Sequence, residues 1–300
     1  MAPSILLPSP EAYAPHEDLV APARRQPALW RLLIGLVLVA AMLMIGANLL
    51  FVLALWSGAD PVTLSAGQTP GSMLAVLGGF AFVSLGVIFA ARLMQWRSAV
   101  SLLGPMPRVL YQFRRTLVFV GLLMVVLMAL PPFGIGTPLE PNLPLGQWLH
   151  YLPLALICVL IQVEAEELLF RGYLQQTLAA RFNARWVWMG LPSMLFAYGH
   201  YLPQEAGDNA VLIAVWAGIF GLLMADLTAR AGSLGPAIAV HFANNIVALL
   251  IVGSPSSLGG LALYLLPYEM SDAEQLRPWL MVDFAVMLVS WLTARLAIRA

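Results

Sequence analysis

Eight apolar stretches divide the chain, at about 31–56, 73–95, 116–131, 149–181, 186–201, 209–228, 234–252 and 278–296. A helix needs roughly 20 apolar residues to cross the hydrocarbon of a bilayer. Most of the stretches meet that length. The one at 186–201 is short, and the one at 149–181 is long with a polar second half. The pattern predicts an all-α fold, a polytopic membrane helix bundle of about eight transmembrane helices.

Arginine placement orients the bundle. Arg24, Arg25 and Arg31 precede or open the first stretch. Arg92, Arg97, Arg108, Arg114 and Arg115 surround the second connection, Arg181 and Arg185 the fourth, Arg230 the sixth, and Arg295 and Arg299 close the chain. The alternate connections carry Asp60, Glu140, Glu205, Asp208, Glu269, Asp272 and Glu274, with Arg277 against the trend. Basic residues stay on the cytoplasmic side. Both termini are therefore expected in the cytoplasm, as an even number of spans requires.

Composition agrees. Of 300 residues, 61% are hydrophobic and 10% charged, which excludes an ordinary soluble globule. The expected location is a membrane, the bacterial inner membrane, with the lipid bilayer as a partner and no nucleic acid. Cys158 is the sole cysteine. No intrachain disulfide or thiolate metal site can form, and Cys158 reads as an apolar filler. Residues 1–28 are rich in proline and lack a long apolar core. They are expected to form a disordered cytosolic tail, followed by a single transmembrane domain over 29–300. Trp186, Trp188 and Trp279 are expected to anchor the interfaces.

Against this background the polar residues inside apolar stretches stand out. Gln162-Val-Glu164-Ala-Glu166-Glu167-Leu-Leu-Phe170-Arg171 follows a run built like a membrane span. Ionisable groups at membrane depth are costly and point to function. Glu167 and Arg171 are i and i+4, so they can pair on one face. Glu164 precedes Glu167 by three and lies on the same stripe. Glu166 is turned away from Arg171 by about 140° at 3.6 residues per turn, free to face a cavity. His200 and His241 lie in other apolar stretches. Asn245 follows His241 by four, on its face, while Asn244 is expected to point elsewhere.

The antiparallel stretches also align by depth. Glu166 lies fifteen positions before Arg181 and His200 fifteen after Arg185, which puts both about 22 Å from the inner edge at 1.5 Å per residue. His241, eleven positions after Arg230, lies about 16 Å from it by the same rise. The three are expected in one layer. A carboxylate there can take a proton from water and return it to a leaving amine. A histidine and an amide can donate to an oxyanion. That set suits amide hydrolysis without a serine or cysteine nucleophile.

These residues resemble a known pattern. Glu166-Glu167-Leu-Leu-Phe-Arg171, Phe196-Ala-Tyr-Gly-His200 and His241-Phe-Ala-Asn-Asn245 are similar to the three motifs of the CPBP family of intramembrane endopeptidases, which includes type II CAAX prenyl proteases and Abi-like proteins. The resemblance covers about 149–252, the expected catalytic core. It implies Glu166 as the residue that activates water, His200 as its partner, and His241 and Asn245 as oxyanion donors. Glu167 and Arg171 would support the site. Phe196 reads as packing.

The implied substrate is a membrane-embedded or lipid-anchored protein or peptide. No cofactor is favoured. A divalent metal such as zinc stays open, with Glu166, His200 and His241 as its ligands; it would occupy the base that the metal-free reading needs free. Two other functions remain: a proton-coupled carrier or channel using the same Glu and His side chains as a relay, and a non-catalytic membrane scaffold. Asp283 sits in the last stretch without an evident partner.

Overall fold

The computed structural model describes residues 10–58, 60–130 and 138–299. A short turn α1 (Glu17–Val20) precedes the long helix α2 (Leu29–Ser57). Then come α3 (Pro61–Ala66), α4 (Pro70–Gly79), α5 (Ala81–Gln95), α6 (Ala99–Leu103) and α7 (Met106–Ala129). Helix α8 (Leu145–Glu167) continues through a π-helical stretch, Leu168–Gln175, into α9 (Gln176–Arg181). A π turn at Trp186–Gly190 opens α10 (Leu191–Gly199), followed by α11 (Pro203–Ala206) and α12 (Ala210–Ala231). Helix α13 (Gly235–Ile246) ends in a π turn at Val247–Ile251, and α14 (Ala273–Ile298) closes the bundle.

Local sequence explains the helix ends. The Asp60 side chain accepts from the Thr63 amide, Thr69 and Ser72 form a reciprocal capping box, and Asp272 caps the first turn of α14. Each satisfies backbone donors that a helix start leaves open. Helix α7 begins ten residues before the expected stretch at 116–131. Its first turns are amphipathic: Arg108 reaches Asp18, and Gln112 donates to the Ala231 carbonyl.

Among the described residues, five helical segments are long and apolar enough to cross a membrane: Leu29–Trp56, Pro70–Gln95, Met106–Ala129, Pro203–Ala231 and Ala273–Ile298. Gly235–Ile251 is a shorter apolar helix. Leu33, Val37 and Val52 on α2 are exposed, while Gln95, Arg97, Gln175 and Gln176 are buried. This inverted distribution suits an architecture surrounded by hydrocarbon, where helices satisfy their own backbone. The bundle is the architecture of a polytopic membrane protein.

One departure from all-α is small. Among the described residues, three two-residue strands, β1 (Glu140–Pro141), β2 (Val252–Gly253) and β3 (Tyr264–Leu265), form a sheet in the order β1-β3-β2. Strand β3 runs antiparallel to β1 and parallel to β2. The sheet ties the connection ahead of α8 to the segment after α13, where backbone polar groups outside helices need partners.

Small residues allow the helices to approach closely. A Cβ on Gly86 would lie 2.9 Å from the Val39 Cα, so α5 presses its backbone against α2. Gly218 faces Ala197, and Gly221 faces Ser193. These pairs fix α10 and α12 as antiparallel neighbours, as small residues do in membrane bundles. Cys158 is buried, as expected of an apolar filler.

The expected disordered tail requires correction. Residues 1–9 lie outside the described residues. From Pro10 to His16 the chain forms a 3₁₀ helix, followed by α1 and another 3₁₀ turn at Ala23–Arg25. Leu19, Val20 and Ala23 are buried. Arg97 donates to the Leu19 carbonyl, and the Tyr13 hydroxyl donates to Asp226 Oδ1 at 2.5 Å. Burial, and then Asp226, push the Tyr13 phenol up; burial pushes His16 down to about 4. Proline-rich composition hides a few apolar and aromatic anchors sufficient for docking. Trp188 is corrected with it: it is buried beside His16 and Tyr13 rather than at an interface. Trp186 is exposed. The Asp226–Arg230 pair forms at i, i+4 spacing, and Trp291 also donates to Asp226.

Candidate active site

The last two turns of α8 carry Gln162, Glu164, Glu166 and Glu167. The helix widens into its π-helical stretch immediately after Glu167. Such widened turns alter the facing of side chains and are frequent at functional sites. Arg171 lies within this stretch, yet its Nη1 still donates to Glu167 Oε1 at 3.0 Å. Both are buried, so the pairing expected from i, i+4 spacing holds. Arg171 Nη2 donates to the Gly221 carbonyl, and its guanidinium lies 4.9 Å above the Phe196 ring.

Helix α13 brings His241 to the same carboxylate. His241 Nδ1 is 2.8 Å from Glu167 Oε1, while its Nε2 is 3.6 Å from Glu166 Oε2. With Nδ1–H donated to Glu167, the ring is oriented and Nε2 faces Glu166. Glu166 Oε2 is buried and has no hydrogen-bond partner among the described residues. Glu166 is thus separated from the Arg171 pair, as its position on the helix predicts.

Asn245 lies one turn beyond His241. Its Nδ2 donates to Gln162 Oε1 at 2.8 Å, and its Oδ1 accepts from Asn244 Nδ2 at 3.2 Å. Asn244 therefore does not point elsewhere; it holds the oxygen end of the Asn245 amide. Gln162 holds the other end. Sequence reasoning assigns Gln162 no role, although it is a polar residue inside an apolar run, four positions before Glu166 and on the same face. Glu164 also departs from its expected stripe: it accepts from the Ser84 hydroxyl of α5.

His200 is placed differently from the expected contact with Glu166. Helix α10 ends there, and His200 Nδ1 lies 2.9 Å from the Phe196 carbonyl. A carbonyl can only accept, so Nδ1 carries the proton and Nε2 is the acceptor of the neutral ring. Its ring centroid is 4.4 Å from that of Phe196, which is itself 6.1 Å from His241. Among the described residues His200 makes no ion pair with Glu166. Phe196 is buried and lies beside both rings. The packing role expected for it is what it has, and its packing also spaces the two histidines.

This arrangement bears on metal binding. Structural and catalytic zinc need at least three protein ligands around one ion. Among the described residues no group of three or more His, Cys, Asp or Glu is disposed to hold one. His200 is tied to α10, and Glu167 is engaged by Arg171 and His241.

Known proteins resemble this part of the chain. Residues 148–247 match the family model of Rce1-like type II CAAX prenyl endopeptidases. The match spans α8, α10, α12 and α13 and includes Glu166, His200, His241 and Asn245. A Bacillus subtilis (strain 168) protein described as uncharacterized, YyaK, is 31% identical over 119 residues. That similarity covers 38% of this chain and 38% of the relative's length. No solved structure matches the chain.

Proposed function

We propose that this chain is an intramembrane endopeptidase that hydrolyses peptide bonds of a membrane-embedded or lipid-anchored substrate. The observation that carries this reading is the unpartnered Glu166 carboxylate facing His241 Nε2. It lies within the stretch that matches Rce1-like prenyl endopeptidases.

In the proposed reaction Glu166 takes a proton from a water molecule as that water's oxygen bonds to the scissile carbonyl carbon. His200 Nε2, an acceptor, helps align the same water. The carbonyl oxygen becomes an oxyanion, stabilised by His241 Nε2–H and Asn245 Nδ2–H. Collapse expels the amine, which takes the proton from Glu166. The proton-bearing His241, Glu166, Glu167 and Arg171 together carry no net charge, which limits the cost of placing them in hydrocarbon. Gln162 and Asn244 keep the Asn245 amide from rotating, so its second N–H stays available.

A purified, reconstituted sample tests this reading. It should cleave a membrane-anchored partner that accumulates uncut in cells producing Glu166→Gln, and that partner should be cut by the unmodified chain alone. Failure of the purified chain to cut any such partner would refute the reading.

The proposed chemistry needs no metal. Full activity is expected after treatment with phenanthroline, with no stoichiometric zinc in the purified protein. Near-unit zinc, lost together with activity and restored with it, would establish the metal-dependent alternative.

The proposed setting is the bacterial inner membrane, crossed eight times, with residues 29–300 as one transmembrane domain and both termini cytoplasmic. The arginine distribution supports it. Reporter fusions at Gly58, Gln68, Glu140 and Gly260 are expected to read as periplasmic, and those at Gly104 and Gly232 as cytoplasmic. A cytoplasmic signal at Glu140 would overturn the eight-span arrangement.

A further inference from the structure

Burial around the candidate site is lopsided along the helix axes. On the arginine-rich side, where α9 ends at Arg181 and α12 just past Arg230, packing is continuous. Every residue from Arg171 to Ala179 is buried, and so is every residue of α13 from Gly235 to Ala243. Gln175, Gln176 and Thr177 donate to the Ala225, Leu102 and Tyr173 carbonyls, so these polar groups bind protein rather than line a passage. The docked N-terminal segment covers this end: His16, Leu19 and Val20 are buried, and Trp188 lies against His16.

Toward the other side the packing loosens. Asn244 to Val247 are partly exposed and Ala248 is exposed, although they continue a helix that is buried one turn earlier. The Glu166 side chain is 15% exposed, whereas that of Glu167 is fully buried. His200 is partly exposed, and Tyr201 and Leu202 after it are exposed. Helix lengths account for the opening. Gly218 faces Ala197 and Gly221 faces Ser193, an antiparallel register that sets His200 level with Val215. Helix α12 begins five positions further out, at Ala210, about 7.5 Å at 1.5 Å per residue. Helix α13 and its π turn run ten positions beyond His241. Helix α10 instead stops at Gly199, beside the site. Its end forms a low wall on this flank.

Water is a reactant in the proposed hydrolysis, and the hydrocarbon layer supplies none, so the site needs a polar route to one face. We propose that this route leads to the arginine-poor, outer face: water and the scissile segment of the substrate reach Glu166 over the end of α10, past His200 and Asn245. The substrate class is then a membrane-embedded or lipid-anchored protein whose scissile segment enters from the periplasmic side. The chemistry rests on the peptidase reading above, and the outer assignment on the arginine distribution. The difference in burial between the two flanks depends on neither.

Cysteine access tests the route. In a full-length Cys158→Ala chain, Glu166→Cys and Asn245→Cys report on the site, so that one remains if the other fails to fold. Arg181→Cys and Tyr201→Cys, both at exposed positions, report on the two faces. Thr177→Cys reports on the buried inner flank. Right-side-out and inverted membrane vesicles are treated with a charged, membrane-impermeant methanethiosulfonate. That reagent requires a thiolate, which forms where water reaches the sulfur. Tyr201→Cys should react only in right-side-out vesicles and Arg181→Cys only in inverted ones. Both site variants should react to completion in right-side-out vesicles and remain unmodified in inverted ones, and Thr177→Cys should stay unmodified in both. Site variants that react only in inverted vesicles, or in neither preparation, would overturn the proposal. So would reaction of Thr177→Cys in inverted vesicles, or reversed behaviour of Tyr201→Cys and Arg181→Cys. No proteolysis enters the measurement, so a chain that reacts as expected yet cuts no partner supports the route and refutes the peptidase reading.

Discussion

Glu166→Gln is expected to abolish proteolysis while leaving the protein folded. Glutamine preserves the size of the side chain. Glu166 Oε2 has no hydrogen-bond partner to lose among the described residues, and its near neighbour His241 remains anchored to Glu167. The amide cannot take a proton from water. Losing a general base lowers rates by about 10²–10⁴-fold, so cleavage of the membrane-anchored partner should fall by that factor. Thermal unfolding in detergent should be close to that of the unmodified chain. Glu164→Gln supplies the comparison: Glu164 accepts from Ser84 rather than facing His241, and a glutamine oxygen can accept the same bond. Its activity should persist. Undiminished cleavage by Glu166→Gln would sink the proposed mechanism.

The pairing of Arg171 with Glu167 rather than Glu166 is legible in sequence because helical spacing fixes it. Four residues bring Glu167 under Arg171, and five turn Glu166 away; the pairing persists although Arg171 lies within the π-helical stretch. Apolar runs locate the long helices for a similar reason, since hydropathy reports directly on burial in lipid. What escapes depends on three-dimensional detail. Equal residue counts put His200 level with Glu166, but counting cannot place the aromatic wedge of Phe196 or end α10 at His200. The π turns have no simple periodic signature. Gln162 is visible as a polar residue in an apolar run, yet only the fold reveals that it holds Asn245. The N-terminal segment misleads because composition averages over residues, whereas docking rests on a few anchors such as Tyr13 and Leu19.

Arg171→Ala is expected to have the largest effect on stability. Among the described residues, Arg171 is the only cation within hydrogen-bonding reach of Glu167 besides the His241 ring, and Glu167 is fully buried. Removing the guanidinium leaves that carboxylate without its counter-charge, with its Oε2 already lacking a partner. It also removes the donor to the Gly221 carbonyl and the cation above Phe196. Three elements are thereby affected: α8, α12 and α10. Breaking one side of a buried ion pair costs about 3–5 kcal/mol, a large part of the roughly 5–15 kcal/mol that holds a typical domain folded. Folded yield and unfolding temperature in detergent should both drop sharply. The cause can be separated from simple loss of volume. Adding Glu167→Gln to Arg171→Met removes the stranded charge while keeping apolar bulk, and replacing a buried pair as a unit is far less costly than breaking it. The double variant should therefore recover much of the folded yield. Its activity should remain low, because the substituted amide no longer supplies the carboxylate that orients His241. Normal stability of Arg171→Ala would show that Glu167 is satisfied by other means and would remove the ion pair from the account of the site.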